Sequence, residues 1–242
     1  MPGSLEVYAA MPPSAMVIVA HPDDAEFMCA GTLACWARGG AQVTYLLVTN
    51  GDKGSDDPAV RSEDLARIRH AEQREAARIC GAQQVVFLDY EDGMVEPSLA
   101  LRRDIARVIR QYRPHAVICQ DPTRFFAGRG YINHPDHRAV AEATLAAIYP
   151  AARDRLTFPE LLAAGFEPHK VKEVFLGHDE AADVIVDISE TFETKIAALR
   201  AHRSQMADWD PAEMIGKWAA ETAKEQPFAY GEAFRYLKMD GD

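Results

Sequence analysis

The chain has 242 residues, of which 48% are hydrophobic and 26% are charged, and its formal net charge is −11. These values are typical of a soluble globular protein with one domain or two small ones, and they exclude a largely disordered chain. The acidic charge argues against nucleic acid or an anionic membrane surface as a partner. No apolar run reaches the roughly 18–20 residues that a transmembrane helix needs.

The N-terminal segment and the cysteines indicate the compartment. Residues 1–14 contain no basic segment followed by an apolar core, so they do not resemble a secretory signal, and we expect a loose leader. We expect the cysteines to be buried, reduced thiols, because none belongs to a CxxC pair, with a disulfide or a thiolate metal site as the alternative. The compartment predicted is therefore the cytoplasm. The cysteines are Cys29, Cys35, Cys80 and Cys119.

Strand and helix patterns alternate along the first half of the chain. Such alternation indicates βαβ units whose right-handed crossovers build a parallel sheet. We therefore predict a three-layer, doubly wound, mostly parallel Rossmann-like α/β fold. The predicted strands are 16–20, 42–49, 84–88 and 115–120, and the predicted helices are 29–38, 60–80, 98–112 and 137–148.

The C-terminal part has a different pattern. Two further strands are predicted at 171–176 and 183–188, followed by helices at 189–207 and 211–225. No internal repeat, low-complexity tract or linker separates this part from the rest. We therefore predict a single domain, 1–242, in which residues 151–242 form a C-terminal elaboration.

The first predicted strand runs directly into the sequence AHPDDAE at 20–26. Sheets of this type bind ligands at the carboxyl ends of their strands, and His and Asp are both ligands of Zn²⁺. His21 and Asp24 lie three positions apart in a tight turn, so both can face one ion. Asp23 projects differently and is free to act as a base. The alternative is that Asp23 or Asp24 caps the next helix and that His21 is incidental.

A second cluster, NHPDH at 133–137, follows the fourth strand after the long segment 121–133. We interpret that segment, which is rich in aromatic residues, as a lid or a substrate wall. His134 and His137 reach the same side of the following helix, so one can bind a metal while Asp136 orients the other. The alternative is a pair of surface histidines at a helix start.

Together the clusters predict a ligand set of His21, Asp24 and His137. Three protein ligands leave the fourth tetrahedral position for water, which is typical of a catalytic rather than a structural zinc. Zn²⁺ lowers the pKa of such a water to about 7. Two histidines and one carboxylate also serve Fe²⁺, so the sequence leaves both ions open.

The motifs AHPDDAE at 20–26 and HPDHRAV at 134–140 resemble those of the LmbE-like or PIG-L family of zinc-dependent N-deacetylases. Similar family segments occur at 158–176, at 186–189 and between 195 and 205. The resemblance implies an enzyme that hydrolyses the N-acetyl amide of a small amino-sugar substrate of N-acetylglucosamine type. It is also compatible with a homo-oligomer.

The same resemblance implies roles for residues of the two motifs. Asp23 would be the general base of the reaction. His134 would stabilise the oxyanion or act as general acid, and Asp136 would orient it. The metal ligands implied are the three that the spacing already predicts.

Further residues match the family pattern less specifically. Arg69 and Glu72 fit an R-x-x-E pattern that holds substrate, with a helix-surface ion pair as the alternative. Asp92, with Gly93, fits an Asp-Gly pair expected near the substrate. The segment 49–52 is either part of the pocket or a plain turn. For 202–205 no role can be derived, and a packing role is expected.

Three other functions compete with deacetylation. An amidase that cleaves a larger amide conjugate is related, but the additional lysine of that branch does not follow the first motif. A dinucleotide-dependent oxidoreductase is excluded because no G-x-G-x-x-G follows a predicted strand. A non-catalytic sugar-binding or metal-binding module would be expected to lack Asp23 or His134, and this sequence has both.

Overall fold

An eight-stranded β-sheet is the central layer of the computed structural model, which describes residues 5–127, 130–177 and 181–239. The sheet order is β4-β3-β2-β5-β8-β10-β9-β1, and β6 and β7 form a separate hairpin. The strands are β1 (Glu6–Val7), β2 (Ser14–Val19), β3 (Gln42–Thr49), β4 (Gln84–Tyr90), β5 (Ala116–Gln120), β6 (Phe126–Ala127), β7 (Tyr131–Ile132), β8 (Glu173–Gly177), β9 (Val184–Asp187) and β10 (Gly231–Lys238).

Helices cover both faces of the sheet. Within the described residues they are α1 (Asp24–Arg38), α2 (Ser62–Ile79), α3 (Leu99–Tyr112), α4 (Pro135–Ala146), α5 (Pro159–Ala163), α6 (Phe192–Ala201), α7 (Arg203–Met206) and α8 (Ala212–Thr222). A π-helical segment, Ala147–Ala152, continues α4. No helix in the described ranges is both long enough and apolar enough to cross a bilayer.

Alternation along the central strands divides the core into two layers. Val17 and Tyr45 point to the face that α1, α2 and α6 cover, whereas Ile18 and Leu46 point to the face of α3 and α4. All four are fully buried, and burying such a side chain contributes about 1.5–3 kcal/mol. The prediction of a three-layer, mostly parallel α/β fold is confirmed.

The crossover of the chain positions the functional end of the sheet. β2 pairs in parallel with β3 on one side and with β5 on the other. Because the chain builds the sheet outward in both directions from β2 and β5, their carboxyl ends diverge and leave a crevice. The two histidine motifs directly follow β2 and the β6–β7 hairpin, so both lie at this edge.

Helix α1 begins at Asp24, five positions before the predicted start at Cys29, because the first motif itself forms the first turn. The helix is broken at Cys29, whose φ and ψ are −149° and 16°. Glu232 accepts the N–H groups of Gly31 and Thr32 at 3.1 and 2.7 Å. Lys195 donates to the carbonyl of Phe27 at 2.8 Å. These two side chains satisfy backbone groups that the break releases.

Besides the short β6–β7 hairpin, two strands of the main sheet differ from the sequence prediction. The leader expected at 1–14 is not loose throughout, because β1 pairs in parallel with β9 and the Tyr8 ring lies 5.0 Å from that of Phe175; residues 1–4 lie outside the described range. β10, which the sequence analysis missed, runs antiparallel between β8 and β9.

The helix predicted over 189–207 is two helices, because His202 adopts the non-helical ψ of 59°.

Candidate active site

Loops from three parts of the chain meet at the carboxyl edge of the sheet. Residues 20–24 follow β2, Asp92 lies just beyond β4, and residues 133–137 lead into α4. The side chains of His21, Asp24 and His137 come together there, as the motif spacing predicts. The sheet topology thus joins two motifs that are more than a hundred residues apart in sequence.

The three predicted ligands form a triangle of side chains, in which Asp24 faces each histidine with a different carboxylate oxygen. His21 Nδ1 lies 3.2 Å from His137 Nε2 and 3.4 Å from Asp24 Oδ2, and His137 Nε2 lies 3.1 Å from Asp24 Oδ1. A tetrahedral zinc ion with bonds of about 2.0–2.1 Å holds neighbouring ligand atoms roughly 3.3–3.4 Å apart. The separations of the three side chains are therefore short enough for them to bind one such ion.

Neighbouring residues turn both imidazole rings toward this triangle. His21 Nε2 lies 3.0 Å from Asp92 Oδ1 and 3.3 Å from Asp136 Oδ2, which fixes the ring proton on Nε2. His137 Nδ1 lies 3.0 Å from Asn133 Oδ1 and donates its proton there. Each ring therefore directs its other nitrogen at the same point, the arrangement that a metal-binding histidine requires.

The charges around His21 favour a cation at this point. Burial lowers the pKa of His21, but hydrogen bonds to Asp136, Asp24 and Asp92 outweigh it and raise the pKa to about 12. Burial opposes ionisation of Asp24, but His137 and His21 hold its pKa well below the ordinary value. The donor set and its charge therefore fit a divalent metal ion.

A second group of potential ligands shares His21 and comprises Asp92, His134 and Asp136. It uses the opposite nitrogen of His21. The Asp136 carboxylate already accepts the backbone N–H groups of Gly93 and Val95 at 2.7 and 3.3 Å. Because these bonds occupy Asp136, we assign this group to the support of His21 rather than to a second ion.

Asp23 stands beside the triangle in a strained backbone conformation. Its φ is 97°, which for a residue other than glycine costs on the order of 1–3 kcal/mol. Arg69 Nη2 donates to Asp23 Oδ2 at 3.2 Å and to the Pro22 carbonyl at 2.5 Å. Burial raises the pKa of Asp23 to about 6 against the opposing charge of Arg69. The residue predicted as a base is thus close to the ligands and separate from them.

The structure does not show the predicted hydrogen bond between the His134 ring and the Asp136 carboxylate. The nearest approach of Asp136 Oδ1 to His134 Nδ1 is 4.0 Å, whereas the same nitrogen accepts the backbone N–H of Asp136 at 3.3 Å. The backbone therefore orients the ring and leaves the proton of the neutral imidazole on Nε2. Burial and the charge of His21 lower the pKa of His134. The Asp136 side chain instead contacts His21, whose Nε2 lies 3.3 Å from Asp136 Oδ2.

Arg69 and Glu72 do not form the helix-surface ion pair that was the alternative to substrate binding. Arg69 is buried and donates from Nη1 to the Gly51 carbonyl at 2.9 Å. Gly51 has a φ of 67°, and an added Cβ would lie 2.8 Å from Arg69 Cζ, so the turn after β3 requires glycine. Glu72 accepts from the backbone and hydroxyl of Ser204. Of the two, Arg69 lines the cavity, and Glu72 fastens α7 to α2.

A cavity of about 780 Å³ opens above the triangle. Its wall includes residues from segment 121–133, which the sequence predicts as a lid or wall, and an aromatic side that the sequence does not predict. Trp218 on α8 and Phe27 on α1 form that aromatic side. Gln120 also lines the cavity, and its buried Oε1 has no hydrogen-bond partner among the described residues. The cavity therefore combines polar groups near the triangle with an apolar wall, as sugar-sized ligands require.

Comparison with known proteins identifies the family. The sequence profile described as PIG-L, GlcNAc-PI de-N-acetylase, matches residues 16–148. The diacetylchitobiose deacetylase of Thermococcus kodakarensis is 30% identical over 227 residues, which is 92% of this chain and 82% of that protein. The 1D-myo-inositol 2-acetamido-2-deoxy-alpha-D-glucopyranoside deacetylase 1 of Saccharopolyspora erythraea is 27% identical over 286 residues, which is 96% of this chain and 91% of that protein.

A solved structure agrees with these sequence matches. The N,N'-diacetylchitobiose deacetylase from Pyrococcus horikoshii, complexed with its inhibitor MPG, has a TM-score of 0.84 to this chain at 27% identity. The alignment covers 94% of this chain and 84% of that chain. The protein therefore belongs to the PIG-L, or LmbE-like, family of GlcNAc-PI de-N-acetylase type, as its two motifs indicate.

Proposed function

We propose that this protein hydrolyses the N-acetyl amide of an amino sugar of N-acetylglucosamine type, with Zn²⁺ held by His21, Asp24 and His137. The products are acetate and the free amine. The observation that carries the proposal is the triangle of ligand side chains, whose nearest nitrogen and oxygen atoms lie 3.1–3.4 Å apart, beside a carboxylate that takes no part in it. The names of the Thermococcus and Saccharopolyspora relatives, both deacetylases, support the same reaction.

The metal ion, when bound, would supply Lewis-acid activation of the amide carbonyl and of the attacking water. Asp23 accepts the proton of that water. Arg69 holds Asp23 Oδ2, which leaves Oδ1 as the oxygen that accepts the proton. His134 donates from Nε2 to the carbonyl oxygen as negative charge develops there, because its Nδ1 is already an acceptor. The proton on Asp23 is then available to the departing amine.

Metal content and amine release together test this proposal. Purified protein should contain zinc and should release amine from N-acetylglucosamine or N,N'-diacetylchitobiose. His21→Ala and His137→Ala should lose both metal and activity, because each removes one corner of the triangle. His115→Ala is the control and should keep both, because His115 directly precedes the amino end of β5, away from the carboxyl edge that carries the site. Full metal retention in both ligand variants would contradict the assignment, and iron in place of zinc would correct only the ion.

A further inference from the structure

The strained turn at Asp23 needs an external support. A φ of 97° persists only where the surroundings hold it. Gln73 on α2 provides one such contact, because its Oε1 accepts the Asp23 backbone N–H at 3.0 Å. The side chain of Gln73 is fully buried. The conformation of the proposed base thus depends on which way this amide group faces.

Glu26 fixes the orientation of that amide. Gln73 Nε2 donates to Glu26 Oε1 at 3.0 Å, so the opposite end of the amide, Oε1, must face Asp23. Glu26 is itself 0% exposed. A carboxylate at such a depth requires partners for both of its oxygens.

His202 supplies the second partner. Its Nε2 donates to Glu26 Oε2 at 3.0 Å, and its side chain is also 0% exposed. The chain of contacts therefore runs from His202 through Glu26 and Gln73 to the Asp23 backbone. It begins at His202 in the C-terminal elaboration and ends at Asp23, which adjoins the proposed metal ligand Asp24.

The residues after His202 contact α2, the helix that carries Gln73, and the loop before it. Ser204 donates to Glu72 from its backbone N–H at 2.8 Å and from its hydroxyl at 2.6 Å. Gln205 Nε2 donates to the Gly54 carbonyl at 3.1 Å. Segment 202–205 is thus fastened to α2, the helix that carries Gln73, and to the loop before it.

We propose that His202, Glu26 and Gln73 form a buried relay of positioning residues that holds Asp23 in its reactive conformation. The proposal rests on the proposed function for the role of Asp23 as base, and it gives segment 202–205 a role that its sequence does not reveal. None of the three residues is a member of the ligand triangle. We therefore expect the relay to affect turnover without affecting metal binding.

Gln73→Met tests the relay most directly, since it keeps the size of the side chain and removes both hydrogen bonds. We expect kcat to fall by about 10–100-fold, as for a small displacement of a catalytic group, with KM and metal content close to those of the parent. Ile105→Val, in the core on the other face of the sheet, is the control for general destabilisation and should retain the parental kcat. A parental kcat in Gln73→Met would overturn the proposal.

His202 permits a rescue experiment. His202→Leu should lose turnover as Gln73→Met does, whereas His202→Gln should recover most of it, because a glutamine amide can donate from nearly the position of Nε2. A purely structural role predicts no such order between variants of equal stability. Equal turnover in the two His202 variants would overturn the proposal. If His202→Leu does not fold, Gln73→Met and His202→Gln still decide, with low kcat expected only in the former.

A crystal structure of Gln73→Met separates this proposal from the proposed function. We expect the φ of Asp23 to leave the positive region while His21, Asp24 and His137 keep their triangle. If the parent releases no amine from any N-acetylated sugar, the proposed function fails, and this structure alone decides on the relay. A relaxed turn would then support the relay, and a φ that stays near 97° would overturn it.

Discussion

Asp23 and Asp24 are adjacent in sequence, yet the structure separates their surroundings. Asp24 contacts both histidines of the triangle, whereas Asp23 contacts Arg69. Asp23→Asn retains the shape of the side chain and removes a proton acceptor. We expect metal content to persist while kcat falls by about 10²–10⁴-fold, the usual contribution of a general base. Parallel metal analysis and steady-state kinetics would check this, with Asp56→Asn in the exposed loop as control; loss of metal would place Asp23 among the ligands.

Arg69 joins three pieces of backbone and side chain at once. Its guanidinium reaches the carbonyls of Pro22 and Gly51 and the carboxylate of Asp23. Arg69→Ala leaves these buried acceptors without a donor, so we expect the free energy of unfolding to fall by ~3 kcal/mol together with a loss of kcat. Urea denaturation and kinetics on the same preparation would measure both. An unchanged denaturation midpoint with a raised KM would show that Arg69 contacts only substrate.

The metal ligands could be predicted from sequence because both motifs follow strand ends, and a parallel sheet brings such ends together. The partner of the Asp136 side chain could not be predicted in this way. Adjacency in sequence suggested His134, but residues two apart at a helix start do not face each other. The carboxylate turns to His21, 115 positions away, and to two N–H groups of the loop after β4. Contacts between loops of this kind leave no periodic signal in the sequence.

The break in α1 rests on a buried ion pair between two elements that the sequence does not connect. Lys195 on α6 lies 2.6 Å from Glu232 on β10, and their side chains are 4% and 5% exposed. Glu232→Ala removes the partner of a buried cation and of two backbone N–H groups. We expect it to lower the free energy of unfolding by about 3–5 kcal/mol, measured by urea denaturation.

An exposed pair of the same length provides the control for that measurement. Lys217 and Glu213 on α8 are also 2.6 Å apart, but their side chains are 72% and 82% exposed. Water already solvates both charges, so Glu213→Ala should leave the denaturation midpoint nearly unchanged. Equal effects of the two substitutions would show that burial of the pair at Lys195 has no energetic consequence for the fold.

Predicted and observed elements agree best where burial is uniform. β2 and β5 are continuous apolar runs because both faces of the sheet are covered, and α2 and α3 end within two residues of their predicted bounds. β1 has only two residues, and β10 is partly exposed along its second half, so neither produces a clear pattern. Short or partly exposed strands were therefore the parts of the fold least accessible to prediction.

Across the whole molecule, the C-terminal elaboration is connected to the first motif by polar contacts as well as by the apolar core. Lys195 reaches the Phe27 carbonyl, and His202 reaches Glu26. Both contacts end on α1, directly after the residues proposed to carry the chemistry. Folding of the last third of the chain and the geometry of the site should therefore depend on each other.

The pH dependence of stability tests this connection through His202. Burial lowers the pKa of His202, but the hydrogen bond and charge of Glu26, assisted by Asp23 and Glu72, raise it above its ordinary value of 6.5. The folded state then holds this proton more tightly than the unfolded chain. The stabilisation is complete below pH ~6.5 and is lost as the pH rises through the raised pKa of the folded state.

His202→Gln cannot acquire this charge, so the difference in Tm between parent and variant measures how much the charge stabilises the fold. We expect the advantage of the parent to be largest near pH ~6 and to shrink as the pH rises through the raised pKa of His202. His70→Gln is a control of opposite sign. Burial lowers the pKa of His70, which stacks on Phe87, so the parent should lose stability relative to that variant as the pH falls below ~6.5. Thermal melts of the three metal-loaded proteins across this range would measure both differences. A His202 difference that is independent of pH, or that grows with it, would mean that Glu26 does not hold a charged histidine and that His202 contacts Glu26 only as a neutral donor.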